Sequence, residues 1–156
     1  MENRGEAKTI SREDYKNKSF NLQKNNSTDK VNVKTTFNIT ENNIQINFAT
    51  GKVEKDSKMW AVISNKMMEK QINLILKEYK TRTNIIDTII NEIVKDNFNG
   101  VIIDFDKIEE GEKETVKRFI VEIVPKLREF GIDTCVVINE NFEKNDYINI
   151  VDYIIE

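Results

Sequence analysis

The hydrophobic positions of the chain fall into short runs between strongly polar stretches, and their period changes from one run to the next. Val31-Asn32-Val33-Lys34-Thr35-Thr36-Phe37 alternates as a half-covered strand does, and so does Ile44-Gln45-Ile46-Asn47-Phe48. A turn at Glu41-Asn42-Asn43 between them predicts a hairpin, and Gly51 ends its second arm. Met59-Trp60-Ala61-Val62-Ile63-Ser64 is apolar throughout, which predicts a strand covered on both faces. The period then becomes helical. Met67, Met68, Ile72, Ile75 and Leu76 share one face, and Ile85, Ile86, Ile89, Ile90, Ile93 and Val94 make a stronger stripe. Asn97 to Gly100 closes that second helix and feeds Val101-Ile102-Ile103, a short buried strand. Val116, Phe119, Ile120, Ile123, Leu127 and Phe130 predict a third helix that ends at Gly131, with Pro125 bending or breaking it. Asp133-Thr134-Cys135-Val136-Val137-Ile138 is a further buried strand. Asn141 to Asn149 reads as a short loop or helix, and Ile150-Val151-Asp152-Tyr153-Ile154-Ile155 as a last strand.

From Met1 to about Lys30 the chain is almost wholly polar, with scattered Phe20 and Leu22. Such a segment buries too little surface to offset its ordering entropy, so residues 1–30 are expected to form a disordered arm or linker ahead of a domain spanning 31–156. Within that domain, strand–helix alternation predicts parallel βαβ units with right-handed crossovers and outer helices. About five sheet strands are legible, against the eight of a closed barrel. The expected fold is therefore α/β, an incomplete (β/α)8 barrel of the TIM type, with exposed edge strands that invite self-association.

Composition narrows the function classes. The chain carries 24 basic and 27 acidic residues, a net charge of -3 with no basic stripe, which argues against nucleic acid as a partner. No His is present, so imidazole triads and imidazole metal sites are excluded, and one Cys excludes an internal disulfide. Any metal would be a hard ion held by oxygen; none is expected, and neither is a cofactor. No stretch is apolar enough to span a bilayer and the N-terminus lacks a signal peptide's apolar core, so no membrane partner and a cytoplasmic location are expected.

The candidate chemistry sits at Asp104-Phe105-Asp106, where the central strand ends. A period of two puts both carboxylates on one side and Phe105 on the other. Like charges that close raise each other's pKa or recruit a cation or donor, and the C-terminal ends of strands are where barrels carry their chemistry. Taken alone, these residues leave several readings open. They could be strand-end acids that cap a helix or face water. They could be the Asp-x-Asp of a Mg²⁺-dependent phosphatase or nucleotide-sugar glycosyltransferase, although no clear partner residues for that chemistry are placed. Trp60 is either a sugar-stacking platform or strand packing. Asn65, just past its strand, and Asn139 are candidates for binding substrate. Cys135, inside an apolar strand, reads as a small buried hydrophobe.

With these residues in place, the chain resembles glycoside hydrolase family 18, in particular the bacterial branch that lyses spore and cell-wall peptidoglycan. That family's signature, Asp-Gly-x-Asp-x-Asp-x-Glu, falls here on Asn99-Gly100-Val101-Ile102-Ile103-Asp104-Phe105-Asp106. Trp60-Ala61-Val62-Ile63-Ser64-Asn65 looks like the preceding barrel strand, Arg82 with its Ile-rich helix like the helix before the signature, and Phe119 to Leu127 like the helix after it. Val151-Asp152-Tyr153-Ile154-Ile155 looks like the sixth strand. The resemblance covers Val31 to the end, about two-thirds of such a barrel. It implies a domain that acts on or binds N-acetylglucosamine polymers, peptidoglycan or chitin, by substrate-assisted retaining hydrolysis. Asp106 would stand in the place of the acid and Asp104 would orient the substrate's acetamido group. Asn99 and Ile102 replace the other two signature acids. Asp is shorter than Glu by about 1.5 Å of reach, and a displacement of about 1 Å can cost on the order of a hundredfold in rate. The resemblance thus implies lost or weak catalysis, or a non-catalytic glycan-binding or interaction remnant. A spore, cell-wall or extracellular location is implied if the chain belongs to a longer family member.

Overall fold

The computed structural model describes residues 5–48 and 54–156, so Gly51 lies outside the described residues. The chain runs β1 (Lys8–Ile10), α1 (Arg12–Asn17), β2 (Ser19–Lys24), β3 (Ser27–Ile39), β4 (Ile44–Phe48), β5 (Lys58–Ser64), α2 (Asn73–Leu76), α3 (Tyr79–Lys95), β6 (Gly100–Asp104), a 3-10 turn at Glu110–Glu112, α4 (Lys113–Glu129), β7 (Asp133–Val137), α5 (Lys144–Tyr147) and β8 (Tyr153–Ile155). The strands form one curled sheet in the order β1-β8-β7-β6-β5-β3-β2, with β4 also on β3. From β3 to β8, and on to β1, neighbours are parallel. Only β2 and β4 are antiparallel. They lie against Ser27–Asn32 and Thr35–Ile39 of β3 respectively, and the second pairing is the expected hairpin.

The crossovers through α3 and α4 end with the same device. At the end of α3, Asn97 takes φ 59, and its N–H and that of Phe98 donate to the carbonyls of Val94 (3.2 Å) and Ile93 (3.1 Å). At the end of α4, Gly131 takes φ 70, and its N–H and that of Ile132 donate to Arg128 (2.9 Å) and Leu127 (3.1 Å). This 5→2 and 6→1 pairing satisfies the last helical carbonyls and turns the chain sharply into β6 and β7. α4 continues through Pro125 without the break that was one of the two expectations. The proline leaves the Val121 carbonyl without its usual donor, but Val121 is 41% exposed, so water can take that place.

The sheet has two apolar faces and two cores. Ala61, Ile63, Val101, Ile103 and Val136 point outward against Ile89, Ile93, Phe119, Ile123 and Leu127 of α3 and α4. Val62, Ile102, Cys135 and Ile155 point inward with Trp60 and Tyr153. Strict alternation produces this on β5 and β6, whose register pairs Trp60 with Gly100 and Val62 with Ile102. β3 needs an irregularity. Val31 and Val33 face inward while Phe37 and Ile39 face outward, all at odd positions. The register shift between Val33 and Thr35 switches the parity.

The inner core is completed by the segment expected to be a disordered arm. Of residues 1–30, those from Gly5 onward are described, and they form β1, α1, β2 and the start of β3. Ile10, Phe20 and Leu22 join the inward cluster, and Phe20 meets Trp60 edge-to-face at 6.0 Å. Trp60 in turn lies 5.4 Å from Tyr153 of β8. At the other end of β2, Lys24 Nζ is 2.6 Å from Asp133 of β7. Composition alone misses this order because each strand supplies few apolar groups and borrows the rest of its covering from distant parts of the chain.

Other boundaries differ for local reasons. The helix expected over Met67–Leu76 is cut to α2, because Glu41 Oε1 accepts from the Glu69 and Lys70 N–H groups (2.7 and 2.9 Å) and Ser64 Oγ from Lys66 N–H (3.0 Å). Side-chain acceptors there outcompete the helical ladder. The last strand begins at Tyr153 rather than Ile150, since the Asp152 carboxylate accepts from the Thr134 backbone and hydroxyl at 2.9 and 3.0 Å.

Two stability predictions follow from the inner core. Phe20→Ala is expected to cost about 3 kcal/mol in chemical denaturation; a disordered arm would show no change. A Cβ on Gly100 would sit 2.4 Å from the Trp60 indole. Gly100→Ala should therefore cost about 1–3 kcal/mol by overpacking, while Gly111→Ala, with open space around it, should be near neutral.

Candidate functional site at the rim of the sheet

β6 delivers Asp104 to the C-terminal rim on the inward side, level with Ser64 of β5. Its carboxylate Oδ2 accepts from the Tyr15 hydroxyl at 2.6 Å and from Lys66 Nζ at 3.0 Å. The Asp104 side chain is 10% exposed and that of Lys66 50%. Tyr15 comes from α1, which starts at this rim after β1 and leads to the other edge strand, β2, whose first residue pairs with Asn32, level with Met59 near the start of β5. Ser11 caps α1 through the Asp14 N–H, and the Arg12 guanidinium donates to the Ile138 carbonyl beyond β7. Burial first, then the charge of Asp104, pushes the Tyr15 phenol far above its ordinary range, so it stays a neutral donor to an acceptor-only carboxylate.

Alternation brings Phe105 to the helix side, and Asp106 lies past the end of the β6 ladder. The strand ends at Asp104, and side chains from both flanking strands hold the next two peptides. Asn65 Nδ2 donates to the Asp106 carbonyl at 2.8 Å, and Asn65 Oδ1 accepts from the Asp106 N–H at 2.9 Å. Asn139 Nδ2 donates to the Phe105 carbonyl at 3.0 Å, while Asn139 Oδ1 accepts from Asn141 N–H at 2.8 Å. These clamps drive Phe105 fully into the helix-side core against Phe119 and Phe142. Asp106 lines a recess of about 180 Å³ with Asn65, Lys66, Lys107 and Glu109.

The residues expected to bind substrate thus have different surroundings. Asn65 and Asn139 sit at the rim, but their amides are engaged with backbone. Trp60 is 1% exposed in the inner core, near the start of β5, and has no ring face free for a sugar. At about 3.3 Å per residue it lies roughly 13 Å below Ser64. Cys135 is buried as expected, and burial pushes its thiol well up. Sequence reasoning missed Tyr15 and Lys66. The one available signal for Tyr15 was Ser11 followed by Glu13 and Asp14, a helix start.

No group of three or more acidic or Cys side chains that could hold a metal ion occurs among the described residues. The rim can do two things: accept a hydrogen bond at Asp104, and offer a second, half-exposed carboxylate at Asp106.

Several solved structures share this fold. A protein of Bacillus subtilis described as a sporulation-specific glycosylase matches with TM-score 0.65 and 14% identity, over 88% of this chain and 52% of its own. The Bacillus cereus spore cortex-lytic enzyme SleL matches with TM-score 0.63 and 15% identity, over 80% and 33%. A Chromobacterium violaceum chitinase gives 0.62 and 13%, over 80% and 47%. The chain therefore spans about half of the Bacillus subtilis protein and a third of SleL. At these identities the likeness is one of fold, and it makes the curled sheet part of a TIM-type barrel. No family model and no curated protein matches the chain.

The buried phenol has a measurable consequence. A tyrosine whose folded pKa is raised stabilises the fold fully below its unfolded value, 10.0, and the contribution fades as pH rises above it. Stability should fall above about pH 10, and Tyr15→Phe should reduce that slope by about one proton. Denaturant melts at several alkaline pH values check this.

Proposed function

We propose that the chain is a part-barrel domain of the glycoside hydrolase family 18 kind that binds N-acetylglucosamine polymers, peptidoglycan or chitin, with hydrolysis weak or lost. The observation that carries the reading is Asp104. An inward-facing carboxylate stands at the C-terminal end of β6 in a fold shared with spore cortex-lytic and chitinase structures. Its role is to accept the acetamido N–H and orient that group, and Asp106 stands in the place of the acid. The Asn65 clamp and the shorter side chain both hold the Asp106 carboxyl back from a glycosidic oxygen.

A second reading, a non-catalytic interaction module, is favoured by one observation: both donors to Asp104 already come from this chain. Its partner would pair with the sheet edges at β2 and β4, and sedimentation at several concentrations would show concentration-dependent association.

Calorimetric titration with chitooligosaccharides and pelleting with peptidoglycan separate the two. On the glycan reading, Asp104→Ala weakens binding roughly tenfold or more, the worth of a hydrogen bond to a charged group. Asp106→Glu raises hydrolysis of chitooligosaccharides by on the order of a hundredfold. No glycan binding by the native chain or its variants, together with self-association, would establish the second reading.

A further inference from the structure

We propose that α1 is a displaceable lid over the Asp104 site, with Tyr15 as its latch. The inference rests on the reading of Asp104 as part of a glycan subsite and adds how access to it is controlled.

The segment carrying α1 is anchored at both ends and loose in the middle. Ile10 of β1 and Phe20 and Leu22 of β2 are buried in the inner core. Between them, α1 fully buries none of its six residues, and only Tyr15 of Arg-Glu-Asp-Tyr-Lys-Asn packs against the inner core. Among the described residues, two side-chain hydrogen bonds tie it at the rim, Tyr15 to the Asp104 carboxylate and Arg12 to the Ile138 carbonyl. A helix this short is unstable without such ties. It leaves for β2 through Lys18, a non-glycine residue at φ 57, where the direction of the chain changes. Opening α1 therefore gives up the packing of one aromatic ring and leaves the flanking strands, with their own buried residues, in place.

The latch and a ligand compete for one atom. Asp104 Oδ2 receives both the Tyr15 hydroxyl and Lys66 Nζ, and the side chain is almost fully covered. Any ligand N–H or O–H that reaches this oxygen must take the place of the phenol. Lys66, half exposed, can stay and keep the carboxylate paired when the phenol leaves. Binding affinity is then reduced by the fraction of molecules whose lid is closed.

The test measures hydrogen exchange of the α1 amides and binding of chitotetraose on the full chain, for the native protein, Tyr15→Phe, Arg12→Ala and Asp104→Ala. Tyr15→Phe is expected to speed α1 exchange and to tighten chitotetraose binding about tenfold, the latch being a hydrogen bond to a charged group. Arg12→Ala should act in the same direction without touching Asp104. Chitotetraose should speed α1 exchange in the native protein, and Asp104→Ala should speed it while binding weakens roughly tenfold or more. Unchanged or weaker binding by Tyr15→Phe, with Asp104→Ala still weakening it to that extent, would overturn the lid and leave the glycan reading standing. Faster α1 exchange in Tyr15→Phe with no binding by any variant would instead overturn the glycan reading on which the lid rests.

Discussion

A curled parallel sheet with apolar side chains on both faces has two surfaces to cover, and helices cover only the outer one. The inner surface here is filled by the stack of Phe20, Trp60 and Tyr153, brought together from β2, β5 and β8. The other irregular features serve that stack. Gly100 stands beside Trp60 because any side chain there would collide with the indole. The register shift after Val33 lets one long strand serve the inner core with its first half and the outer core with its second. The N-terminal segment is drawn across the mouth because its strands are needed on both edges, β1 beside β8 and β2 beside β3. With these strands in place Trp60 is 1% exposed.

That closure shapes the rim. α1 follows β1 at the C-terminal ends of the strands and leads to β2, which starts opposite Asn32, so its first turn lies where such sheets carry their chemistry. Tyr15 then meets Asp104 as a neutral donor on a carboxylate, and Lys66 supplies the opposing charge. Beside it, Asn65 and Asn139 reach in from the two neighbouring strands and fix the peptides of Phe105 and Asp106. Each amide satisfies backbone groups that the end of β6 would otherwise leave open, which is why two residues expected to meet a sugar meet main chain instead. The two carboxylates are thereby given different tasks: Asp104 is an inward acceptor, and Asp106 belongs to the rim recess.

Much of the sheet was legible before any tertiary contact was known. The runs at Met59–Ser64, Gly100–Asp104 and Asp133–Val137, the stripes of α3 and α4, and the hairpin of β3 with β4 all follow from local period. So do the stops at Asn97 and Gly131, where the chain supplies residues that tolerate a left-handed turn. Asp104 at a strand end was legible in the same way. The β6 ladder stops at Asp104, and nothing local says that Asn65 will take up the Asp106 peptide.

By itself, then, the sequence determined the outer half of the molecule: buried parallel strands, amphipathic helices, and an acid at the end of the central strand. These are short-range properties, set by the spacing of apolar residues against a fixed helical or pleated repeat. The tertiary structure alone decided the inner half: the order of residues 5–30, the burial of Trp60, and the Tyr15 phenol on Asp104. Those depend on pairings such as Thr9 with Ile154 and contacts such as Phe20 with Trp60, between residues far apart in the chain. A polar segment with three well-placed apolar side chains looks unfoldable in isolation and becomes ordered when a distant surface supplies the rest of its burial.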